Sequence, residues 1–336
     1  MVSALRLAPL ALLAACAPVG GTQVPPPGEQ GGALFVANKR GASLSRIDLA
    51  SGEETHRAAT CENPHELTVS PDGVHVMVAC YSGRSVEIYH TADLSPVQVV
   101  ELGEGARVHS ALWLGDFRVI AGAEGRGSLY TIDGLAAADA ELTEIGGGGP
   151  GPHLVAVDAA GRFAWGTIIP TGEVVRYDLA SGKEVARRRI GEQIEAIALT
   201  PDGKSLWVSS NATSMAYRLD PVTLAVQAQV PTGQVPIRLA MHPSGRWVVS
   251  SNFGTGDLTV IDTATDAVVR TIPVSGTRDA VQVTLVFSPD ATRLYAAETA
   301  RDTIAEIDFA SGTVLRRLAT GEGGDGLAIL PQGAGD

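Results

Sequence analysis

A chain of 336 residues that is 45% hydrophobic has ample material for a buried core, and its 39 glycines and 19 prolines follow no collagen-like period. The formal charge is −12, and the longest basic run is Arg187-Arg188-Arg189, flanked by Glu184 and Glu192. This excludes a surface that follows a phosphate backbone and leaves short strands with tight turns as the expected material of the fold.

Residues 1–15 have the grammar of an export signal. Arg6 gives a positive start, and Leu7 to Leu13 give an apolar run broken by Pro9. The run is too short to span a bilayer, which takes about 20 residues. Leu13-Ala14-Ala15-Cys16 then resembles the lipobox of bacterial lipoproteins. The resemblance implies that the Cys16 thiol receives diacylglycerol and becomes the new N-terminus; the alternative is an ordinary signal peptide with a chance cysteine. The next residue, Ala17, is not the Asp that commonly retains Gram-negative lipoproteins at the inner membrane. In a Gram-negative envelope the resemblance therefore points to the outer membrane, with the protein facing periplasm or surface. Residues 16–32 carry Pro25-Pro26-Pro27 and glycine pairs without an apolar period, and are expected to be a tether.

From residue 33 to 336 a repeat governs the chain. An apolar residue followed by Asp, or by a stand-in, closes an alternating run at Asp48, His90, Asp133, Asp178, Asp220, Asp262 and Asp308, at spacings of 42 to 46 residues. A tight turn runs in phase: Ser70-Pro71-Asp72-Gly73, Thr200-Pro201-Asp202-Gly203, His242-Pro243-Ser244-Gly245 and Ser288-Pro289-Asp290-Ala291, with degenerate copies at Leu114-Gly115-Asp116, Asp158-Ala159-Ala160-Gly161 and Leu330-Pro331-Gln332-Gly333. Each unit reads as four short strands, A to D: an apolar A such as Leu67-Thr68-Val69, then B, then alternating C and D. Four strands per unit of this length predict an all-β, seven-bladed propeller. The first unit begins at its B strand, Leu34 to Asn38, and the last supplies only an A strand, Leu327 to Leu330. Together they complete one blade and close the ring.

The unit Ala240-Met241-His242-Pro243-Ser244-Gly245, Val249 to Asn252, Val260 to Asp266 and Thr271 to Val274 resembles the YVTN-type β-propeller repeat, and the resemblance extends over residues 33–330. It implies the fold and leaves function open, since such propellers serve as surface proteins, carriers, binding scaffolds and enzymes.

Aligning the units places one residue of each at the start of strand A: His65, His109, His153, Glu195, Ile237, Val283 and Asp325. A strands line the central channel, so these residues ring one mouth. A second ring, at the end of strand B, holds Asn38, Cys80, Glu124, Ile168, Ser210, Asn252 and Glu298. His65, His109 and His153 are candidate metal ligands, since imidazole with carboxylate suits Zn²⁺, Cu²⁺ or another first-row divalent ion. Glu195, Asp325, Glu124, Glu298, Asn38 and Asn252 are candidate ligand-binding residues. The alternative is that the histidines satisfy buried carbonyls in a solvated vestibule. Cys61 and Cys80 are an even pair in an oxidising compartment and are expected to form a disulfide; thiolate ligation beside His65 is the alternative. Phe35, Met77, Trp165, Trp207 and Tyr295 share one B-strand position and are expected to pack blade on blade.

Two functions fit. One is a membrane-anchored scaffold that binds a small molecule or an envelope protein. The other is a metal-dependent lyase or hydrolase at the channel mouth, which resembles the arrangement in lactonase-like and streptogramin-lyase-like propellers. Neither family's full motif is present, so no catalytic residue is assigned.

Overall fold

The computed structural model describes Met1 and residues 31–334, apart from 116, 136–139 and 148. The export signal, Cys16 and the tether up to residue 30 lie outside the described residues, as does Asp116 of one degenerate turn. The rest folds into seven antiparallel sheets of four strands. Blade 1 joins Gly324–Pro331 (A) to Gly32–Asn38 (B), Ser43–Asp48 (C) and Glu54–Ala59 (D). Blade 2 follows with Pro64–Val69, His75–Cys80, Ser85–His90 and Pro96–Glu101. Blades 3 to 7 repeat the pattern from A strands Val108–Trp113, Val155–Val157, Ile194–Leu199, Pro236–Met241 and Gln282–Phe287. Each A strand touches the A strands of the two adjacent blades, and the circle closes from blade 7 through blade 1 to blade 2.

The two sequence markers are explained by local hydrogen bonding. In the A–B turns, Asp72 and Asp202 accept from the hydroxyls of Ser70 and Thr200 at 2.5 and 2.7 Å, and from the amides of Val74 and Lys204. Gly73 and Gly203 then take φ of 75° and 69°. The Asp closing strand C caps the C–D turn. Asp48 accepts the Ser51 amide at 2.7 Å, Asp220 that of Thr223 at 2.7 Å, and Asp308 that of Ser311 at 2.7 Å.

The core is not one centre but seven apolar layers, one between each pair of blades. Phe35, Met77, Trp165, Trp207 and Tyr295 lie buried in these layers. Outside them, polar ties cross from blade to blade. Arg46 reaches the Thr91 carbonyl at 3.0 Å, Trp165 Nε1 the Pro221 carbonyl at 2.8 Å, and Arg218 takes both carboxylate oxygens of Asp266 at 2.7 Å. Arg316 closes the circle by donating to the Leu49 carbonyl.

Cys61 and Cys80 are disulfide-bonded, with Cα atoms 5.9 Å apart. The bond ties the loop entering blade 2 to the end of that blade's B strand, and closing a loop of this length contributes about 3 kcal/mol.

Two outcomes follow from this construction. Truncation before Gly324 removes the A strand that pairs with Gly32–Asn38 and completes blade 1. Loss of buried Leu327 and Leu330 alone costs about 3–6 kcal/mol, against a total stability of about 5–15 kcal/mol. The truncated chain is expected to lose its cooperative thermal transition in circular dichroism. Acid is expected to weaken the fold through the turn aspartates. The Thr200 hydroxyl and Lys204 amide hold Asp202 at about 2, and the Ser51 and Thr223 caps lower Asp48 and Asp220. Because these pKa values are depressed on folding, their contribution is complete above about pH 4 and disappears as pH falls towards 2. Asp202→Asn is expected to flatten part of the fall in Tm across that window, measured by scanning calorimetry.

Candidate functional site

The ring position is the second residue of six A strands, with His153 two residues before the short A strand of blade 4. His65, His109, His153, Glu195 and Asp325 gather at one mouth, whereas Val283 packs into the apolar layer between blades 7 and 1. Period-two alternation would turn the next residue away. In blades 1, 2, 3, 5, 6 and 7, however, the pairing of A with B slips by one residue at this point. Such a bulge re-aims the side chains around it. It brings Glu66 beside His65 and lets Arg238, the neighbour of Ile237, reach across the channel. Sequence reasoning missed both residues, although a guanidinium inside the apolar run Ile237-Arg238-Leu239-Ala240 was a usable signal.

The three histidines meet, but not around a point. Their rings form a tilted column, with centroids 4.0 Å apart between His65 and His109 and 3.6 Å apart between His109 and His153. Tyr81 stands edge-on to His65 and His109 at 5.1 and 5.2 Å, held by a hydrogen bond from Arg107. The expected three-histidine ligand set is therefore not the geometry observed. The donors that lie within 4.8 Å of one another belong to His65, Glu66 and His109. His153 is engaged elsewhere, with Nδ1 3.1 Å from Glu124 and Nε2 3.4 Å from Glu195.

Around the column runs a closed circuit of charge. Arg238 binds Glu66 at 3.0 Å and Glu195 at 2.9 Å. Asp325 takes Lys39 at 2.7 Å and the Thr284 hydroxyl at 3.1 Å, and lies 3.6 Å from His65 Nδ1. Lys39, Tyr81 and Thr284 were also absent from the sequence reading: Lys39 and Tyr81 each follow the last residue of a B strand, one step beyond the second ring, and Thr284 follows Val283 on its A strand.

Burial raises the cost of charging Asp325, but Lys39, then His65 and Arg238, outweigh it and hold the carboxyl at about 2. Glu66 and Glu195 are likewise depressed: burial opposes ionisation, Arg238 favours it, and the adjacent histidines assist. Burial lowers His65, and lowers His109 far more because its two imidazole neighbours add to the effect. It acts on His153 too, but the hydrogen bonds to Glu124 and then Glu195 prevail and raise that pKa. The charged form is thus disfavoured at His65 and His109 and favoured at His153. The Nδ1 atoms of His65 and His109 and the Nε2 atom of His153 are buried without a hydrogen-bond partner, a condition that costs about 1–3 kcal/mol per group.

The other candidates are placed differently. Asn38 is occupied inside its blade by Ser43 and Ser45, and Asn252 by Asp257 and Thr259. Glu298 is held by Arg301 and Arg317. These three side chains are engaged next to their own B strands; of the B-strand ring, it is Glu124 that contacts a histidine. Below the mouth a cavity of about 150 Å³ has Glu66, Ser110, Arg238 and Thr284 in its wall above Leu67, Leu154, Ile197 and Leu285. That is too small for a drug-sized molecule, which needs about 300–1,000 Å³.

No family model and no curated protein matches the chain. Among solved structures it is similar to Kuenenia stuttgartiensis hydrazine synthase, at 17% identity and a TM-score of 0.69 over 96% of this chain and 99% of that one. It is also similar to a functionally unknown protein from Desulfotomaculum acetoxidans DSM 771, at 14% identity and 0.69 over 89% and 99%. The dihydro-heme d1 dehydrogenase NirN in complex with DHE matches at 14% identity and 0.65 over 88% of this chain and 75% of that one. At these identities the likeness establishes the seven-bladed propeller fold.

The charge circuit makes a stability test direct. Arg238→Met leaves Glu66 and Glu195 buried without their partner and is expected to cost about 3–5 kcal/mol in urea unfolding. Combining it with Glu66→Gln and Glu195→Gln is expected to recover most of that loss.

Proposed function

We propose that the protein is a lipid-anchored, extracytoplasmic propeller of the YVTN type, a scaffold that binds a small polar ligand at the histidine-lined mouth. The observation that carries the reading is the asymmetry of that mouth. Blades 6 and 7 put Ile237 and Val283 at the ring position, whereas the other five put His, Glu or Asp there. The fold accepts apolar residues at this level, so the polar arc is not required for closure. Its carboxylates are already paired internally, so a charged organic ligand would have to displace an ion pair. A small neutral or zwitterionic ligand can use the unfilled imidazole nitrogens without that cost. A second reading, a metal-dependent lyase or hydrolase, is favoured by the His65, Glu66 and His109 donors lying together. Attachment at Cys16 is supported by the lipobox resemblance, with the tether holding the ring away from an outer or cytoplasmic membrane.

Two measurements test this. Wild-type protein is expected to take up radiolabelled palmitate in cells and to partition into detergent, and Cys16→Ser is expected to abolish both; equal labelling of the variant would refute the anchor. In EDTA-washed protein, a thermal-shift panel of neutral sugars, amino acids and small amides is expected to contain at least one compound that raises the Tm of wild type but not of His109→Gln. A panel without any such compound would remove the binding reading.

A further inference from the structure

We infer that His65, Glu66 and His109 form a binding site for a divalent first-row transition-metal ion, with His153 outside the ligand set. The inference rests on the reading of this mouth as the binding surface and names one ligand class for it. Two imidazoles and one carboxylate are a donor set for such ions and leave coordination positions open. Their ligand atoms already lie within 4.8 Å of one another. An ion bound at about 2.0–2.2 Å would draw them to roughly 3.0–3.5 Å, a closure within side-chain reach.

The buried nitrogens give the independent indication. His109 is 1% exposed and His65 6%, and neither Nδ1 has a hydrogen-bond partner. Polar atoms this deep are ordinarily satisfied. Both atoms sit among groups that are held in place by ion pairs, Arg238 with Glu66 and Glu195 and Lys39 with Asp325. Arg238 engages Oε1 of Glu66, and a carboxylate has a second oxygen to offer an ion. Asp325 stands 3.6 Å from His65 Nδ1, beyond hydrogen-bond distance, and places negative charge beside that open nitrogen. Tyr81 packs edge-on to both rings and fixes the side of the column from which they are approached. His153 Nδ1 is taken by Glu124 at 3.1 Å, and His153 falls outside the group of donors that lie within 4.8 Å of one another, which leaves it a neighbour of the site. The four carboxylates Glu66, Asp325, Glu195 and Glu124 outnumber the cations Arg238 and Lys39 that pair with three of them, and the excess negative charge faces the added ion. The group of Cys61, Cys80 and Glu87 is no competitor, since its two sulfurs are bonded to each other.

The test uses the full chain carrying Cys16→Ser, stripped with EDTA and titrated with Zn²⁺, Cu²⁺, Mn²⁺ or Co²⁺ alone in a calorimeter. Bound metal is then counted by mass spectrometry after desalting, and the visible spectrum of the Co²⁺ form reports its ligands. The expected result is one equivalent bound, with affinity at least about 100-fold weaker in His109→Gln and in Glu66→Gln. His153→Gln is expected to stay within about threefold of wild type. Circular dichroism melts show that each variant is folded, and His65→Gln serves as the second donor variant if His109→Gln is not. Failure of all four ions to bind wild type would overturn the inference. So would a His153→Gln defect equal to that of His109→Gln, which would restore the three-histidine set. Because the small-molecule panel is run in EDTA, a positive panel beside a negative titration refutes the metal site alone, and failure of both refutes the mouth as a binding surface.

Discussion

Closure of the ring is the constraint on which the structure depends. Seven sheets can bury their faces against one another only if the circle is complete, because each apolar layer lies between two blades and none is internal to a blade. Pairing Gly324–Pro331 with Gly32–Asn38 turns the two ends of the chain into one sheet, so the last layer is sealed by the same ladder that builds the others. Closure also dictates the chemistry at the axis. It brings seven strand starts to one level, where side chains from blades far apart in sequence become contacts. Glu66 and Arg238 are 172 residues apart and share an ion pair. Gly326 runs so close to blade 2 that a Cβ there would lie 1.7 Å from the His65 carbonyl oxygen.

What the bulges add is density. A regular A strand would offer one side chain per blade to the mouth. A one-residue slip allows adjacent residues to serve it, so His65 and Glu66 act together and Arg238 spans to Glu195. This is also why four carboxylates can be accommodated: each finds a cation or an imidazole within the circuit, and none relies on bulk water. Unpaired, such groups would be expensive to bury; in a closed circuit they fix one another's positions.

The same geometry explains what the sequence could and could not reveal. Blade number, strand order and the clasp were legible because they are repeated, and a period survives local exceptions such as His90 in place of Asp. Even Ala291, which takes the φ of 62° that other copies give to Gly, leaves the turn recognisable. The ring of His65, His109, His153, Glu195 and Asp325 was legible for the same reason. Its detail was not. Alternation assigns Glu66 and Arg238 to the wrong side, and only the pairing register reveals the slip. Conversely, Asn38, Asn252 and Glu298 share a ring position with Glu124 yet are consumed by hydroxyls, carboxylates or guanidinium groups next to their own strands, which alignment of repeats cannot foresee. That three equivalent histidines stack instead of converging depends on side-chain torsions that no spacing encodes.

The polar arc is a choice imposed on the fold, not by it. Ile237 and Val283 occupy the same level without disturbing the circle, and Val283 joins the apolar layer between blades 7 and 1. Replacing buried ion pairs by packed apolar residues is often neutral or stabilising, so a ring with Ile or Val throughout would close at least as well. The arc also differs from a structural network in one respect. Structural networks satisfy their members, whereas this one satisfies its carboxylates and leaves the imidazoles at its centre open. Donors oriented by fixed charges and left without partners are the feature on which the proposed binding at this mouth rests. The cavity of about 150 Å³, lined by polar and apolar side chains together, would limit an occupant of the proposed site to an ion or a very small molecule.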